Sequence, residues 1–262
     1  MSVIGARSCL SLAAACALLG FAAAAEIPPG ERRSGYELMG RETRMMQDDD
    51  ATNPGTLWVL DGEALWNKKA GAADRACAGC HGDARTSMRG VAARYPAFDA
   101  ALRRPVNLEG RINLCRSERQ KAAPLAFESR ELLALTAYVA RQSRGLPINI
   151  AIDARSKSFL DAGSEAFHRR QGQLNLACAQ CHDDNWGKRL AGSVIPQAHP
   201  TGYPLYRLEW QELGSLERRL RNCLVGTRAE PYAYGAPEFV DLELYLMWRA
   251  NGMKIETPAV RP

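Results

Sequence analysis

Apolar side chains recur at helical intervals in several parts of this chain, most clearly within residues 129–144. One face of that segment is formed by Leu132, Leu135, Thr136 and Val139. Spacings of three and four residues place these side chains on the same side of an α-helix. Gly145 and Pro147 follow the pattern, and both residue types end helices. The pattern therefore predicts an amphipathic helix that ends near residue 144.

Three further segments carry helix signals. Residues 61–71 begin with a capping aspartate and end with a glycine, and residues 159–171 are amphipathic. Residues 237–250 have proline at their first position and are followed by Asn251 and Gly252. No stretch of any length alternates polar and apolar residues with the period of a strand. The sequence therefore predicts a mainly α fold.

Two stretches of the sequence read C-x-x-C-H, the attachment signature of c-type haem. In this motif two thiols bond to the haem vinyl groups and the adjacent imidazole binds the iron. A redox dithiol or half of a zinc site also uses a C-x-x-C pair, but neither explains a histidine directly after the second cysteine in both copies. We therefore predict two covalently bound c-type haems. The attachment residues are Cys77, Cys80, Cys178 and Cys181, and the iron-binding histidines are His81 and His182.

The order of helix, haem motif, loops, cysteine and helix occurs twice. The offsets between corresponding residues are 101 for Cys77 and Cys178, 108 for Cys115 and Cys223, and 109 for Leu-Ala-Leu at 133–135 and Leu-Glu-Leu at 242–244. Offsets of such similar size indicate an internal repeat. We predict two tandem cytochrome c-like haem domains, residues 61–148 and 149–262. They follow an N-terminal extension, residues 26–60, that contains short helical pieces.

Residues 1–25 have the features of a secretory signal peptide: Arg7, an apolar run at residues 10–21 and the small residues Ala23-Ala24-Ala25 directly before Glu26. The apolar run is short for a membrane anchor, which is the first alternative. The second alternative, lipoprotein cleavage before Cys16, would fall in the middle of the apolar run. We expect cleavage before Glu26 and export to the periplasm.

Composition and charge exclude some classes of partner. The 262 residues are 46% hydrophobic and 24% charged, as is usual for a globular chain of one large or two small domains. Removing residues 1–25 takes away one arginine and no acidic residue, so the net charge falls from +5 to +4. So small an excess does not favour nucleic acid. We expect neither a nucleic-acid nor a membrane partner.

Two cysteines, Cys115 and Cys223, remain outside the leader and the haem motifs, and we refer to them as the lone cysteines. Each follows an arginine, Arg111 or Arg219, by four residues, which on a helix places guanidinium and sulfur on one side. The positive charge is expected to lower the thiol pKa and to favour the thiolate, the form that binds iron. A disulfide between the two cysteines is the alternative in an oxidising compartment. Their matching places in the repeats favour separate roles as sixth iron ligands.

Three stretches of the second repeat carry a more specific pattern. They are residues 169–183 around the haem motif, Tyr203-Pro204 with Arg207, Trp210 and Gln211, and residues 219–232, in which Cys223 precedes Arg-Ala-Glu-Pro-Tyr. Together they resemble the SoxA family, the cytochrome subunits of the L-cysteine S-thiosulfotransferase of bacterial sulfur oxidation. The resemblance extends over residues 35–258.

The resemblance implies a periplasmic enzyme with histidine and cysteine as axial haem ligands. His182 and Cys223 would be the axial pair of the active haem, with Cys223 able to carry a persulfide and Arg219 binding the substrate. His81 and Cys115 would serve the first haem. Some family members lack the first haem and have a disulfide instead, but this chain keeps all four residues of that site and resembles the di-haem branch.

The resemblance also implies partners. Members of the family pair as a heterodimer with a small cytochrome subunit, SoxX. The pair joins thiosulfate oxidatively to a cysteine of the carrier protein SoxYZ and passes electrons to cytochrome c. Two other functions fit the haem motifs alone. One is a di-haem electron-transfer cytochrome c with Cys115 and Cys223 in a disulfide, and the other is a di-haem peroxidase, which needs one open iron.

Overall fold

The computed structural model describes residues 27–262, so the predicted signal peptide, residues 1–25, lies outside the described residues. Its α-helices are α1 Arg41–Asp48, α2 Thr56–Asn67, α3 Cys77–His81, α4 Ala84–Ser87, α5 Leu108–Cys115, α6 Arg130–Arg141, α7 Lys157–His168, α8 Cys178–His182, α9 Leu216–Gly226 and α10 Pro237–Arg249. Three short 3-10 helices are Pro29–Glu31, Gly35–Leu38 and Ala92–Arg94, and a π-helical turn, Arg116–Gln120, follows α5. The prediction of a mainly α fold is confirmed.

The strands are two or three residues long, which is too short for an alternating pattern to be visible in the sequence. They are β1 Ala97–Asp99, β2 Arg104–Val106, β3 Arg189–Leu190, β4 Ser193–Val194, β5 Leu205–Arg207, β6 Glu212–Gly214 and β7 Ala259–Arg261. β1 pairs with β2, β3 pairs with β4, and β5 lies between an antiparallel β6 and a parallel β7. Within the described part of the chain, no helix combines the length and the apolar character needed to cross a membrane.

Two crossed helix pairs form the two repeats. In the first pair, Gly62 of α2 lies against α6, and a Cβ at this position would stand 2.1 Å from the carbonyl oxygen of Ala134. In the second pair, Gly163 of α7 lies against α10, and a Cβ would stand 2.0 Å from the carbonyl oxygen of Asp241. Only glycine permits backbones to approach so closely. The same contact at the same place confirms the internal repeat.

The contacts of these glycines also correct one predicted offset. Gly62 and Gly163 are 101 residues apart, as predicted for the first half of the repeat. Their partners Ala134 and Asp241 are 107 residues apart, whereas the match of Leu-Ala-Leu to Leu-Glu-Leu gave 109. The predicted register of the closing helices is therefore wrong by two residues. Leucines occupy several positions on both helices, so a match of two leucines does not fix the register.

The start of α2 differs from the prediction. The helix begins at Thr56, not at Asp61, which lies in its interior and forms an ion pair with Arg130 of α6. The preceding turn sets the start, because the side chain of Asn53 accepts a hydrogen bond of 2.9 Å from the Gly55 amide. An aspartate marks a helix start only when no better turn precedes it. At α10 the predicted first residue, Pro237, is confirmed.

Buried carboxylates join the two repeats. Asn107 caps α5 of the first repeat, and its side-chain amide donates hydrogen bonds of 3.2 Å to Glu217 of α9 and to Glu243 of α10. Glu109 of α5 is buried close by. Burial, and then the negative charges of its neighbours, raises the pKa of Glu109, and burial raises the pKa of Glu217 to about 7. Negative charge at this junction is therefore unfavourable.

Replacing Glu109 with glutamine should flatten the dependence of stability on pH. A carboxyl group with a raised pKa in the folded state holds its proton more tightly there, so stability is highest below the ordinary pKa and falls as pH rises through the raised one. We expect Glu109→Gln to match the parent near pH 4.5 and to be more stable at pH 8, on the order of 2 kcal/mol. Denaturant unfolding at several pH values measures this. Glu118→Gln is the control, because Glu118 is exposed on the π-helical turn. Equal profiles for parent and Glu109→Gln would contradict the prediction.

Candidate functional site

The first haem motif forms α3 and opens onto a cavity of about 620 Å³, which we call the first cavity. Four residues of the first repeat with the predicted roles line it: Cys77, Cys80, His81 and Cys115. Trp66 of α2 supports the histidine, with ring centroids 5.7 Å apart, and its indole nitrogen donates a hydrogen bond of 3.0 Å to the Gly82 carbonyl. The fold thus places all four residues predicted to hold the first haem in the wall of one cavity.

The second haem motif forms α8, next to a cavity of about 290 Å³, which we call the second cavity. His182, Cys223 and Arg219 line it. Cys178 and Cys181 are half-buried on α8 beside this space, and neither belongs to its described wall. Burial, and then the neighbouring Cys223, raises the pKa of Cys178 to about 11. Cys178 and Cys223 are therefore neighbours, although 45 residues separate them in the sequence.

His182 is held in the form that binds a metal. Its Nδ1 lies 2.6 Å from the carbonyl oxygen of Pro196, and a carbonyl can only accept, so Nδ1 carries the proton and donates it. Nε2 is then the unprotonated nitrogen. Burial lowers the pKa of His182, which favours the neutral ring. Two thiols and such an imidazole on one helical turn are the set that attaches a c-type haem, and a further sulfur in the cavity wall can supply a sixth ligand, so the residues present fit it.

Backbone contacts hold each haem motif against its lone cysteine. Gly71 and Gly172 lie in the turns before the motifs with φ of +67° and +72°. A Cβ on Gly71 would stand 2.2 Å from the carbonyl oxygen of Gln120, and one on Gly172 would stand 2.3 Å from that of Thr227. Both contacts lie on the chain shortly after the lone cysteine. The position of each cysteine is thus fixed relative to its motif.

The two sites differ by one residue at this contact. The lone cysteines are 108 residues apart, but Gln120 and Thr227, which make the equivalent contacts, are 107 apart. The first repeat therefore has one extra residue after Cys115. The extra residue is accommodated in the π-helical turn Arg116–Gln120, which directly follows Cys115. The chain after Cys223 instead continues as the regular α-helix α9. A single inserted residue is the usual origin of a π-helical turn.

The arginines before the lone cysteines have different surroundings. Arg111 forms an ion pair with Asp99, whose side chain is only 12% exposed. The side chain of Arg219 makes no hydrogen bond or ion pair within residues 27–262. No aspartate or glutamate side chain of that part of the chain lines the second cavity. The guanidinium of Arg219 therefore has no ion-pair partner among the described residues and lies in the cavity wall with a cysteine, which suits an anion.

The structure corrects the expected effect of arginine on Cys115. Burial raises the pKa of this thiol, and the opposing effect of Arg111 is smaller. Among the described residues both lone cysteines are free, and they line different cavities. The alternative of a Cys115–Cys223 disulfide is therefore not realised in this structure.

Sequence reasoning missed the part of the N-terminal extension that closes the second cavity. Gly35, Leu38 and Met39 belong to the cavity wall. The segment before them is fixed by Gln197, whose side chain accepts a hydrogen bond of 2.6 Å from the Arg33 amide, and by the ring of His199. His199 Nδ1 donates a hydrogen bond of 3.1 Å to the Arg33 carbonyl, and burial lowers the pKa of His199 to about 4. No local signal in the sequence connects these residues.

Comparisons with known proteins agree with the repeat and with the haem motifs. A family model described as the SoxA/TsdA cytochrome c domain matches residues 61–148 and 162–255. The L-cysteine S-thiosulfotransferase subunit SoxA of Pseudaminobacter salicylatoxidans is 41% identical over 235 residues, covering 89% of this chain and 82% of that protein. The corresponding subunit of Rhodovulum sulfidophilum is 36% identical over 231 residues, covering 88% and 80%. Among solved structures, a chain of the SoxXA crystal structure from P. pantotrophus superposes with a TM-score of 0.85 at 32% identity, covering 88% of this chain and 87% of that one.

Proposed function

This chain belongs to the SoxA family, and we propose that it is the subunit of an L-cysteine S-thiosulfotransferase that joins thiosulfate oxidatively to a cysteine of a SoxYZ-type carrier protein. The observation that carries the proposal is the second cavity. It combines Cys223 with Arg219, whose side chain forms no ion pair within residues 27–262. A sulfur that can form a sulfur–sulfur bond and a cation that can bind a divalent substrate are the two requirements of this reaction.

The proposed reaction conserves atoms and electrons if Cys223 first binds the thiosulfate group and then passes it to the carrier cysteine. The Cys223 thiolate and the terminal sulfur of thiosulfate form a sulfur–sulfur bond, and two electrons leave for a cytochrome c acceptor. The carrier thiol then loses its proton, attacks that terminal sulfur and releases Cys223 as the thiolate. The product is the carrier cysteine with thiosulfate attached through a new disulfide-type bond. Arg219 binds the sulfonate end and offsets the repulsion between the thiolate and the anionic substrate.

Two c-type haems, each covalently attached, complete the proposal. Cys77 and Cys80 would attach the first haem, and His81 and Cys115 would bind its iron. Cys178 and Cys181 would attach the second haem, and His182 and Cys223 would bind its iron. When bound, the second haem supplies an electron acceptor next to the reacting sulfur. Protonated Nδ1 of His182 is held by the Pro196 carbonyl, which keeps the ring in one orientation. The haem domains in this proposal are residues 61–148 and 149–262.

We expect the matured protein to contain two haems per chain. The double variant Cys77→Ala/Cys80→Ala should contain one, and Cys178→Ala/Cys181→Ala, its matched control, should also contain one. Intact mass and the ratio of haem to protein measure this directly. A parent protein with one haem per chain would contradict the assignment of the first site.

The proposal includes a location and partners. The protein is exported to the periplasm and forms a heterodimer with a small SoxX-type cytochrome. The superposed chain of the P. pantotrophus structure belongs to a SoxXA protein, which supports this pairing. Thiosulfate and the carrier are the substrates, and cytochrome c is the electron acceptor. Assays of conjugation therefore use the heterodimer with the carrier and oxidised cytochrome c.

Replacing Arg219 with lysine should slow conjugation without changing the haem spectrum. Lysine keeps the positive charge but lacks the planar guanidinium fork that donates two parallel hydrogen bonds to a sulfonate. We expect kcat/KM for thiosulfate to fall by roughly ten- to a hundredfold, and further in Arg219→Gln. Arg218→Lys is the matched control, because Arg218 forms an ion pair with Glu212 and does not line the second cavity. An unchanged kcat/KM in Arg219→Gln would remove the anchoring role of Arg219.

A further inference from the structure

A second arginine in the wall of the second cavity has an unused donor. Arg207 lies at the end of β5, and its side chain is 14% exposed. Its Nε is buried and has no hydrogen-bond partner among residues 27–262. The hydroxyl of Thr201, a residue that is 1% exposed, lines the same cavity and is also buried without a partner. Buried polar groups of native proteins are normally paired, so two unpaired groups in one wall indicate a missing ligand.

The remaining contacts of Arg207 leave its charge largely uncompensated. One terminal nitrogen donates a hydrogen bond of 2.9 Å to Glu209, but that carboxylate is 63% exposed, and such surface pairs contribute little. The guanidinium lies over the ring of Trp210, 5.3 Å from its centroid. Burial, and then the positive charge of Arg219, lowers the pKa of Arg207. The two guanidinium groups thus repel each other across the cavity, and an anion between them would remove that cost.

We infer that Arg207, Arg219 and the Thr201 hydroxyl form a single subsite for a divalent oxyanion of sulfur, and that Arg207 selects divalent over monovalent anions. The inference rests on the proposed function, because it assigns the substrate of the same cavity. Arg219 lies one helical turn before Cys223 on α9, so an anion held by both arginines lies next to the reacting sulfur. Arg207 is in this view a residue for binding and specificity, not for the chemistry at sulfur.

A carboxylate offers the same chemistry as a free oxyanion, and a haem propionate is therefore the competing occupant. The two occupants have different consequences. If a propionate is the partner, replacing Arg207 should change the visible spectrum and the redox potential of the second haem. If a free oxyanion is the partner, replacing Arg207 should weaken anion binding and leave the spectrum and the potential unchanged.

The test uses the oxidised heterodimer with both haems, and inorganic sulfate and perchlorate as probes. These anions are similar tetrahedra, the first divalent and the second monovalent, and calorimetry measures their binding without turnover. We expect Arg207→Gln to weaken sulfate binding about tenfold or more, with a much smaller effect on perchlorate. The sulfate affinity of Arg207→Lys should lie between those of the parent and Arg207→Gln. Thr201→Val should weaken sulfate binding by a few-fold, as expected for one neutral hydrogen bond.

Arg218→Gln is a close control. Arg218 lies over the same Trp210 ring, 4.4 Å from its centroid, but does not line the cavity, so its loss should leave the sulfate affinity unchanged. The inference is overturned if Arg207→Gln binds sulfate within twofold of the parent, and a shifted haem potential in that variant would then assign Arg207 to a propionate. If sulfate binding depends on Arg207 and Arg219 but the parent does not conjugate thiosulfate, the subsite stands and the proposed function fails. If the parent conjugates thiosulfate but Arg207→Gln does not change the sulfate affinity, the proposed function stands and the subsite fails.

Discussion

Replacing Cys223 with serine is expected to abolish conjugation of thiosulfate to the carrier, with a fall in rate of at least about a thousandfold. A hydroxyl cannot form the sulfur–sulfur bond on which the proposed reaction depends, and it is a poor leaving group when the carrier thiol attacks. The haems should remain attached, because attachment uses the cysteines of the two C-x-x-C-H motifs. The rate of carrier modification, followed by intact mass with cytochrome c as acceptor, measures the effect.

Cys115→Ser is the matched control for this experiment. Cys115 holds the corresponding position in the first repeat but lines the first cavity, which is separate from the one that contains Cys223 and Arg219. We expect this variant to keep most of the conjugation rate while the spectrum of one haem changes. A Cys223→Ser protein with normal haem content and partner binding that still worked at the parent rate would exclude Cys223 as the catalytic residue.

Replacing Gly163 with alanine is expected to destabilise the second repeat by about 3 kcal/mol. The new Cβ would stand 2.0 Å from the carbonyl oxygen of Asp241, so α7 and α10 would have to separate. That separation would loosen the contact between Phe167 and Tyr245, whose ring centroids are 5.5 Å apart. Denaturant unfolding of the protein with its haems attached measures the loss.

The control for Gly163 is Gly226→Ala. Gly226 ends α9 and has open space where a Cβ would be, so alanine there should leave stability unchanged or raise it slightly. Gly62→Ala, which places a Cβ 2.1 Å from the Ala134 carbonyl oxygen, should reproduce the Gly163 effect in the first repeat. Stability of Gly163→Ala within about 0.5 kcal/mol of the parent would show that the helix crossing tolerates a wider spacing.

The sequence predicted the features that local chemistry determines. Pro237 begins the last helix as predicted, because helix signals depend on neighbouring residues only. The start of α2 was wrong because the turn at Asn53 outweighs the capping tendency of Asp61. Local signals are thus reliable when they do not compete.

Differences between the two sites could not be predicted, because they depend on residues distant in sequence. Arg111 and Arg219 hold the same place before a lone cysteine, yet among the described residues only Arg111 forms an ion pair, with Asp99 of the strand β1. The Nε of Arg207, which has no partner among residues 27–262, likewise depends on the fold, which places residues of β5 and α9 in the wall of one cavity. The repeat places an arginine before both lone cysteines, but the charges around the two arginines differ.

The wall of the second cavity has a consequence for the order in which the protein assembles. Gly35 and Leu38 come from near the start of the described chain, and Arg261 comes from its end. Contacts so far apart in sequence form late in folding, because a long loop must be closed first. The helix crossing at Gly163 joins residues of one repeat and needs a shorter loop. On the proposed function, we therefore expect a haem to be attached at Cys178 and Cys181 while the site is still open, and thiosulfate to enter a cavity that Gly35, Leu38 and Arg261 have already enclosed.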